Sequence, residues 1–219
     1  MSDLLKYAIE LAAVLLLALG IKGLSKVRSA RGANQLAAVA MALAVAGLLL
    51  NYLSTSGLSL AAWTWIIAGT LVGGVFGAIT AQRVPMTSMP ETVALFNGCG
   101  GMSSLLVALA AALYPAALDA TGPVALVSIV VSVFVGSITF TGSIVAMAKL
   151  QGWLSTPSWM QSKLRHVVNI ALAVAALVGA VEMIRNADSG TGLWLLVVSS
   201  SLLGIGVTLP IGGADMPVV

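Results

Sequence analysis

The sequence predicts an all-α integral membrane protein, a bundle of about seven transmembrane helices with the start of an eighth at the C-terminus. Three observations carry this. First, 59% of the 219 residues are hydrophobic and only 8% are charged, against roughly 25% charged in soluble domains. Ten basic and seven acidic side chains cannot cover the surface of a soluble fold this large. Second, the apolar residues fall into seven runs of the roughly 20 residues that a spanning helix needs. Third, the alternation of a membrane β-strand is missing, and the 23 glycines sit inside apolar runs rather than in polar, disorder-prone tracts.

In chain order, the first run covers residues 4–24. Ala18-Leu19-Gly20 looks like a cleavage site, but Asp3 and Lys6 precede the run and the basic residues follow it, so it reads as a retained helix. The second run, 34–53, ends at Ser54-Thr55-Ser56-Gly57, and the third, 60–81, ends before Val84-Pro85. Within the third, Gly69, Gly73 and Gly77 repeat every four residues, a small-residue face that a neighbouring backbone can approach. The fourth run, 92–114, is thinned by Gly98, Gly100, Gly101, Ser103 and Ser104. Thr121-Gly122-Pro123 opens the fifth, 123–148. Ser155-Thr156-Pro157 separates it from the sixth, 167–184, and Asp188-Ser189-Gly190 introduces the seventh, 193–209. Residues 1–219 thus form one transmembrane domain. Trp63, Trp65, Trp153, Trp159 and Trp194 lie near span ends, as interfacial anchors do.

Charge sets the orientation. Lys22, Lys26, Arg28, Arg31, Arg83, Lys149, Lys163 and Arg165 fall in loops on one side, against Lys6 and Arg185 on the other. The positive-inside rule places the N-terminus outside and the segment after the seventh helix in the cytoplasm. The basic residues form no stripe interleaved with aromatics, so nucleic acid is not a partner. A single cysteine, Cys99, excludes a disulfide framework and a multi-cysteine metal site. No P-loop or metal-ligand pair is present, and one histidine cannot supply a Ser/His/Asp set. Gly98-Cys99-Gly100-Gly101 begins like a dinucleotide fingerprint, but it lies within a span and Ser103 replaces the last glycine.

What remains is polar chemistry at membrane depth, costly there and functional by default. Asn97 is the sixth residue of the fourth run, 92–114, followed by small residues that leave room for water. It bonds a neighbouring helix or orients water along a polar path, and both readings stand. Thr139, Thr141 and Ser143 can satisfy carbonyls of their own helix; Ser143 joins Asn97 as a candidate for the path. Amides and hydroxyls do not titrate near neutrality, so they can only orient water or a neighbouring acid–base group. His166 and Asn169 open the sixth helix, where His166 reads as interfacial. Glu10 lies near the outer end of the first helix, and Glu182 is spaced to pair with Arg185. Near the C-terminus, Asp215 precedes Pro217, which suits a cap for a following helix and equally suits contact with another domain.

Three segments resemble the β subunit of proton-translocating transhydrogenases. They are Val84 to Gly98 (VPMTSMPETVALFNG), Gly136 to Leu150 (GSITFTGSIVAMAKL) and Ile211 to Val219 (IGGADMPVV). With Arg165-His166 and Asn169 they occur in the family's order, and the similarity covers essentially the whole chain. The resemblance implies a membrane part that couples proton movement to hydride transfer between NAD(H) and NADP(H) in a bacterial inner membrane. It implies that NAD(H) and NADP(H) bind soluble domains of the complete enzyme, not this chain. It further implies an α-subunit partner with membrane helices and the NAD(H)-binding domain, an NADP(H)-binding domain of the β subunit beyond Val219, and a homodimeric complex. Glu91, Gly212, Gly213, Asp215 and Met216 would then couple the membrane part to that domain. Some members carry histidine at the position of Asn97; with asparagine there, the titrating group belongs elsewhere. Two other classes stand beside this reading, a small secondary transporter or channel and a non-catalytic assembly subunit. No inverted repeat supports the first, which also leaves the IGGADMPVV segment unexplained; the absence of an Asp or Glu at mid-membrane depth allows the second.

Overall fold

The computed structural model describes residues 3–26, 28–55, 59–115, 122–161, 163–186 and 190–212. Its elements are α1 (Asp3–Leu24), α2 (Ala30–Thr55), α3 (Leu60–Arg83), a 3₁₀ turn (Met86–Ser88), α4 (Met89–Leu113), α5 (Pro123–Leu150), a second 3₁₀ turn (Ser158–Gln161), α6 (Leu164–Arg185) and α7 (Gly190–Thr208). No strand occurs among the described residues, and these seven helices are long and apolar enough to cross a membrane. The expected eighth helix would begin outside the described residues.

Every expected span has its helix, but α2, α4, α6 and α7 begin three or four residues early. Hydropathy falls at Arg31, Glu91 and Arg165, whereas backbone hydrogen bonding continues through a solvated first turn. Proline sets the starts of α4 and α5. Pro85 is extended (φ −68°, ψ 154°) ahead of the 3₁₀ turn, and Pro90 occupies the first turn of α4. Pro123 does the same for α5 behind Gly122. A first-turn proline lacks a donor that no helix carbonyl would have used.

The chain divides into two compact units, Met1–Ala78 and Ile79–Val219. In the first, α1 and α2 run antiparallel and close together. A Cβ at Gly20 would lie 3.1 Å from the Ala33 carbonyl, and one at Gly23 or Gly47 would lie 2.7 Å from Ala33 or Ile9. α3 has no buried residue, and a Cβ at Gly69, Gly73 or Gly77 would meet nothing within 4 Å. That glycine face therefore has no neighbour within this unit.

In the second unit α4 packs along α5, α6 along α7, and α5 against α7. Lipid is as apolar as leucine, so close backbone approach, rather than water exclusion, drives such pairing. The glycines mark where it happens. Gly101 opposes Gly136 between α4 and α5, Gly179 opposes Gly192 between α6 and α7, and Gly204 of α7 rests on Ile138 and Thr141 of α5. Around these contacts lies a core that includes Leu105, Ile129, Val133, Ala176, Met183 and Leu196. Large apolar side chains such as Val107, Val124, Ile170 and Leu177 remain exposed, as suits lipid-facing surface.

Candidate functional site

Asn97 is the ninth residue of α4, about 12 Å along the helix from Met89 at 1.5 Å per residue. Its Nδ2 donates a 2.9 Å hydrogen bond to Ser143 Oγ on α5. This contact exists because the next residue is glycine: a Cβ at Gly98 would lie 3.1 Å from the Ser143 Cβ. One turn further on, Gly101 brings the two backbones together. The two sequence candidates, Asn97 and Ser143, are thus one bonded pair. Of the two readings of Asn97, the interhelical bond is present, and it does not displace the other. The pair lines a cleft of about 310 Å³ whose wall also includes Thr139, Ala146, Thr208 and Ile211. An asparagine has four hydrogen-bonding positions and a serine hydroxyl three. One bond between them leaves both able to hold water.

The end of α7 completes the wall. Thr208 is its last residue, and a Cβ at Gly142 would lie 2.8 Å from Thr208 Oγ1. Pro210 follows closely and has no N–H, so the Gly206 carbonyl loses the donor an uninterrupted helix would supply. Asn169 of α6 replaces it, with Nδ2 3.1 Å from Gly206 O. Thr141 ties α5 to α7 by offering its hydroxyl to Ser137 O on its own helix and to Ser201 O across the interface, both at 2.9 Å. The fully buried Ser137 hydroxyl has no hydrogen-bond partner among the described residues.

Sequence reasoning missed Lys149. Counted there as a loop charge, it is the one charged residue of α5, in the last turn, and is only 7% exposed. Its Nζ donates to Thr156 Oγ1 at 2.7 Å and to the carbonyls of Leu209 and Ile211 just past α7. The available signal was a single lysine three residues before Gly152. Gly152 has φ +74°, with Gly152 N bonded to Lys149 O and Trp153 N to Ala148 O. That is a Schellman ending of a helix, and it turns the chain back so that Thr156 meets the ammonium.

Of the other candidates, those that the structure describes are not part of this cleft's wall. Glu91 is in the first turn of α4 and half-buried, where a carboxylate suits the helix dipole. Gly212 is exposed, while Gly213, Asp215 and Met216 lie outside the described residues. His166 is exposed at the start of α6, and its Nε2 accepts a 3.3 Å bond from Arg165 Nε. Glu182 accepts a 2.7 Å bond from Asn186 Nδ2, a contact the expected pairing with Arg185 did not foresee. Gly98 to Gly101 form continuous helix rather than a strand-to-helix turn. Among the described residues no group of His, Cys, Asp and Glu could hold a metal ion.

These features define a polytopic helical membrane protein with an amide–hydroxyl pair lining a cleft among its helices. The family model described as NAD(P) transhydrogenase beta subunit matches residues 6–219, and the chain belongs to that family. It is similar to two curated Rhodospirillum rubrum sequences, both described as NAD(P) transhydrogenase subunit beta. Each is 36% identical over 224 residues, covering 100% of this chain and 47% of the relative. The chain spans about half the length of the curated relatives it matches.

Proposed function

We propose that this chain is the proton-translocating membrane part of an NAD(P) transhydrogenase, in which proton movement is coupled to hydride transfer between NAD(H) and NADP(H). The observation that carries the reading is the Asn97–Ser143 bond in the wall of the α4/α5/α7 cleft, taken with family membership. Neither side chain titrates near neutrality. Their role is to hold water in line for proton transfer to and from a titrating group elsewhere in the enzyme. The complete enzyme adds an α subunit with the NAD(H)-binding domain and an NADP(H)-binding domain of the β subunit, and it works as a homodimer in a bacterial inner membrane. The N-terminus faces out and the end of α7 faces the cytoplasm, by the eight-to-two distribution of basic residues. On that side Glu91, Gly212, Gly213, Asp215 and Met216 face the nucleotide domains.

The test is Asn97→Leu in the complete enzyme. It keeps the number and branching of side-chain heavy atoms, does not lower helix propensity, and removes the hydrogen bonds. Proton-coupled reverse transhydrogenation should fall about tenfold or more, ~1.4 kcal/mol in the barrier. Wild-type proton pumping in this variant would return Asn97 to a purely structural contact.

A further inference from the structure

α7 ends in an unusual way for a helix inside a packed bundle. Pro210 has no N–H with which to continue the hydrogen-bond ladder, and the carbonyls of Leu209 and Ile211 lie past the last residue of α7. Both are taken by one ammonium, Lys149 of α5, which also holds Thr156. Thr156 Oγ1 in turn donates to Leu209 O at 3.2 Å. All three ammonium protons are therefore used, and the acceptors are two backbone oxygens and a hydroxyl.

This site touches the cleft directly. Ile211, whose carbonyl Lys149 holds, lines the cleft beside Asn97 and Ser143, and so does Thr208, which is seated on Gly142 next to Ser143. A displacement of the segment leaving α7 would move Ile211 and Thr208 and change the space in which the Asn97–Ser143 pair holds water. Among the described residues, Lys149 is the single side chain of α5 bonded to that segment at two points.

We propose that Lys149 is a positioning residue. Its ammonium latches the segment after α7 to the end of α5 and keeps Ile211 in the cleft wall, and displacement of that segment reaches the proton path through this latch. The proposal rests on the proton-path reading above. It also explains a cost the fold would otherwise have no reason to bear, since an apolar side chain at this position would avoid burying an ammonium. A plain helix cap needs one or two donors at an exposed end; here a charge is buried to hold one wall of a polar cleft.

The experiment uses the complete enzyme in sealed membrane vesicles, with Cys99→Ala and Ala146→Cys as a thiol reporter in the cleft wall. A water-soluble maleimide reads cleft access by mass spectrometry of the labelled peptide, and protons moved per hydride read coupling. Lys149→Met, similar in length but without donors, removes all three charge-assisted hydrogen bonds; it should react at least about tenfold faster than its parent, the factor that loss of one such bond already implies, and should move fewer protons per hydride. Lys149→Arg, which retains charge and donors, should return both readouts toward the parent. If it behaves as Lys149→Met does, charge-assisted donation is not what holds the segment and the proposal falls. A parental labelling rate in Lys149→Met refutes the latch. Faster labelling with an unchanged proton-to-hydride ratio reduces Lys149 to a structural cap. Should Lys149→Met fail to assemble, Thr156→Val removes one acceptor and should raise labelling in the same direction; no rise overturns the proposal. The labelling arm does not depend on proton conduction, so failure of the Asn97 reading and failure of the latch are told apart.

Discussion

Gly100 and Gly101 are neighbours in α4, yet the structure assigns them opposite responses to alanine. A Cβ at Gly101 would lie 2.7 Å from the Phe140 backbone nitrogen, 2.9 Å from the Thr139 Cβ and 3.0 Å from the Gly136 carbonyl oxygen. Two of these atoms are backbone, so α4 and α5 must separate by about 0.7 Å to restore an ordinary 3.4 Å contact. The Asn97–Ser143 bond lies one turn away at 2.9 Å. The same separation stretches it to about 3.6 Å, past the range of a hydrogen bond. A Cβ at Gly100 would meet nothing within 4 Å. Both substitutions gain the helix propensity of alanine over glycine, ~0.8–1.0 kcal/mol, so comparing them isolates the packing term. Overpacking costs ~1–3 kcal/mol, to which the lost intramembrane hydrogen bond adds about 0.6 kcal/mol. Gly101→Ala should therefore be less stable than Gly100→Ala by ~1.5–3.5 kcal/mol. Unfolding by SDS in mixed micelles, followed by far-ultraviolet circular dichroism, measures the difference. Proton-coupled turnover should fall in Gly101→Ala alone. Two variants within about 0.5 kcal/mol of each other, a surface-like difference, would show that the α4–α5 contact is not set by this glycine.

Three further outcomes are expected. Gly152→Ala puts a side chain at φ +74°, which costs about 1–2 kcal/mol; the same unfolding assay checks it, and unchanged stability would mean that the turn after α5 has another conformation. For topology, an impermeant thiol reagent on intact cells should label Ser56→Cys and spare Ser29→Cys, and the reverse pattern would invert the proposed orientation. Asp215→Asn retains helix-capping ability but loses charge, so the coupling role expects normal expression with slowed or uncoupled turnover, and wild-type hydride transfer with wild-type pumping would leave only a cap.

Much of the architecture was legible because hydropathy, proline and glycine act locally. A run of some 20 apolar residues must satisfy its backbone within itself to lie in lipid, so composition alone placed seven helices. Pro85 and Pro123 marked a break and a start for the same local reason. Asn97 stood out because a lone amide in an apolar helix is costly wherever it points. Its partner was another matter. Ser143, Thr139 and Thr141 are equivalent in sequence, and only the packing of α5 turns Ser143 to Asn97 and Thr141 to Ser201 of α7.

The glycines divide the same way. The regular row Gly69, Gly73 and Gly77 announced a helix contact and meets nothing within 4 Å, whereas Gly101, Gly136, Gly179, Gly192 and Gly204, which follow no common spacing, form the close approaches. Lys149 looked like a loop charge because it ends an apolar run, and its burial depends on carbonyls 60 and 62 residues away. Sequence by itself determined which segments are helices in a membrane. Tertiary structure decided which faces meet, because in a chain apolar all round hydrophobicity does not distinguish a face turned to lipid from one turned to protein.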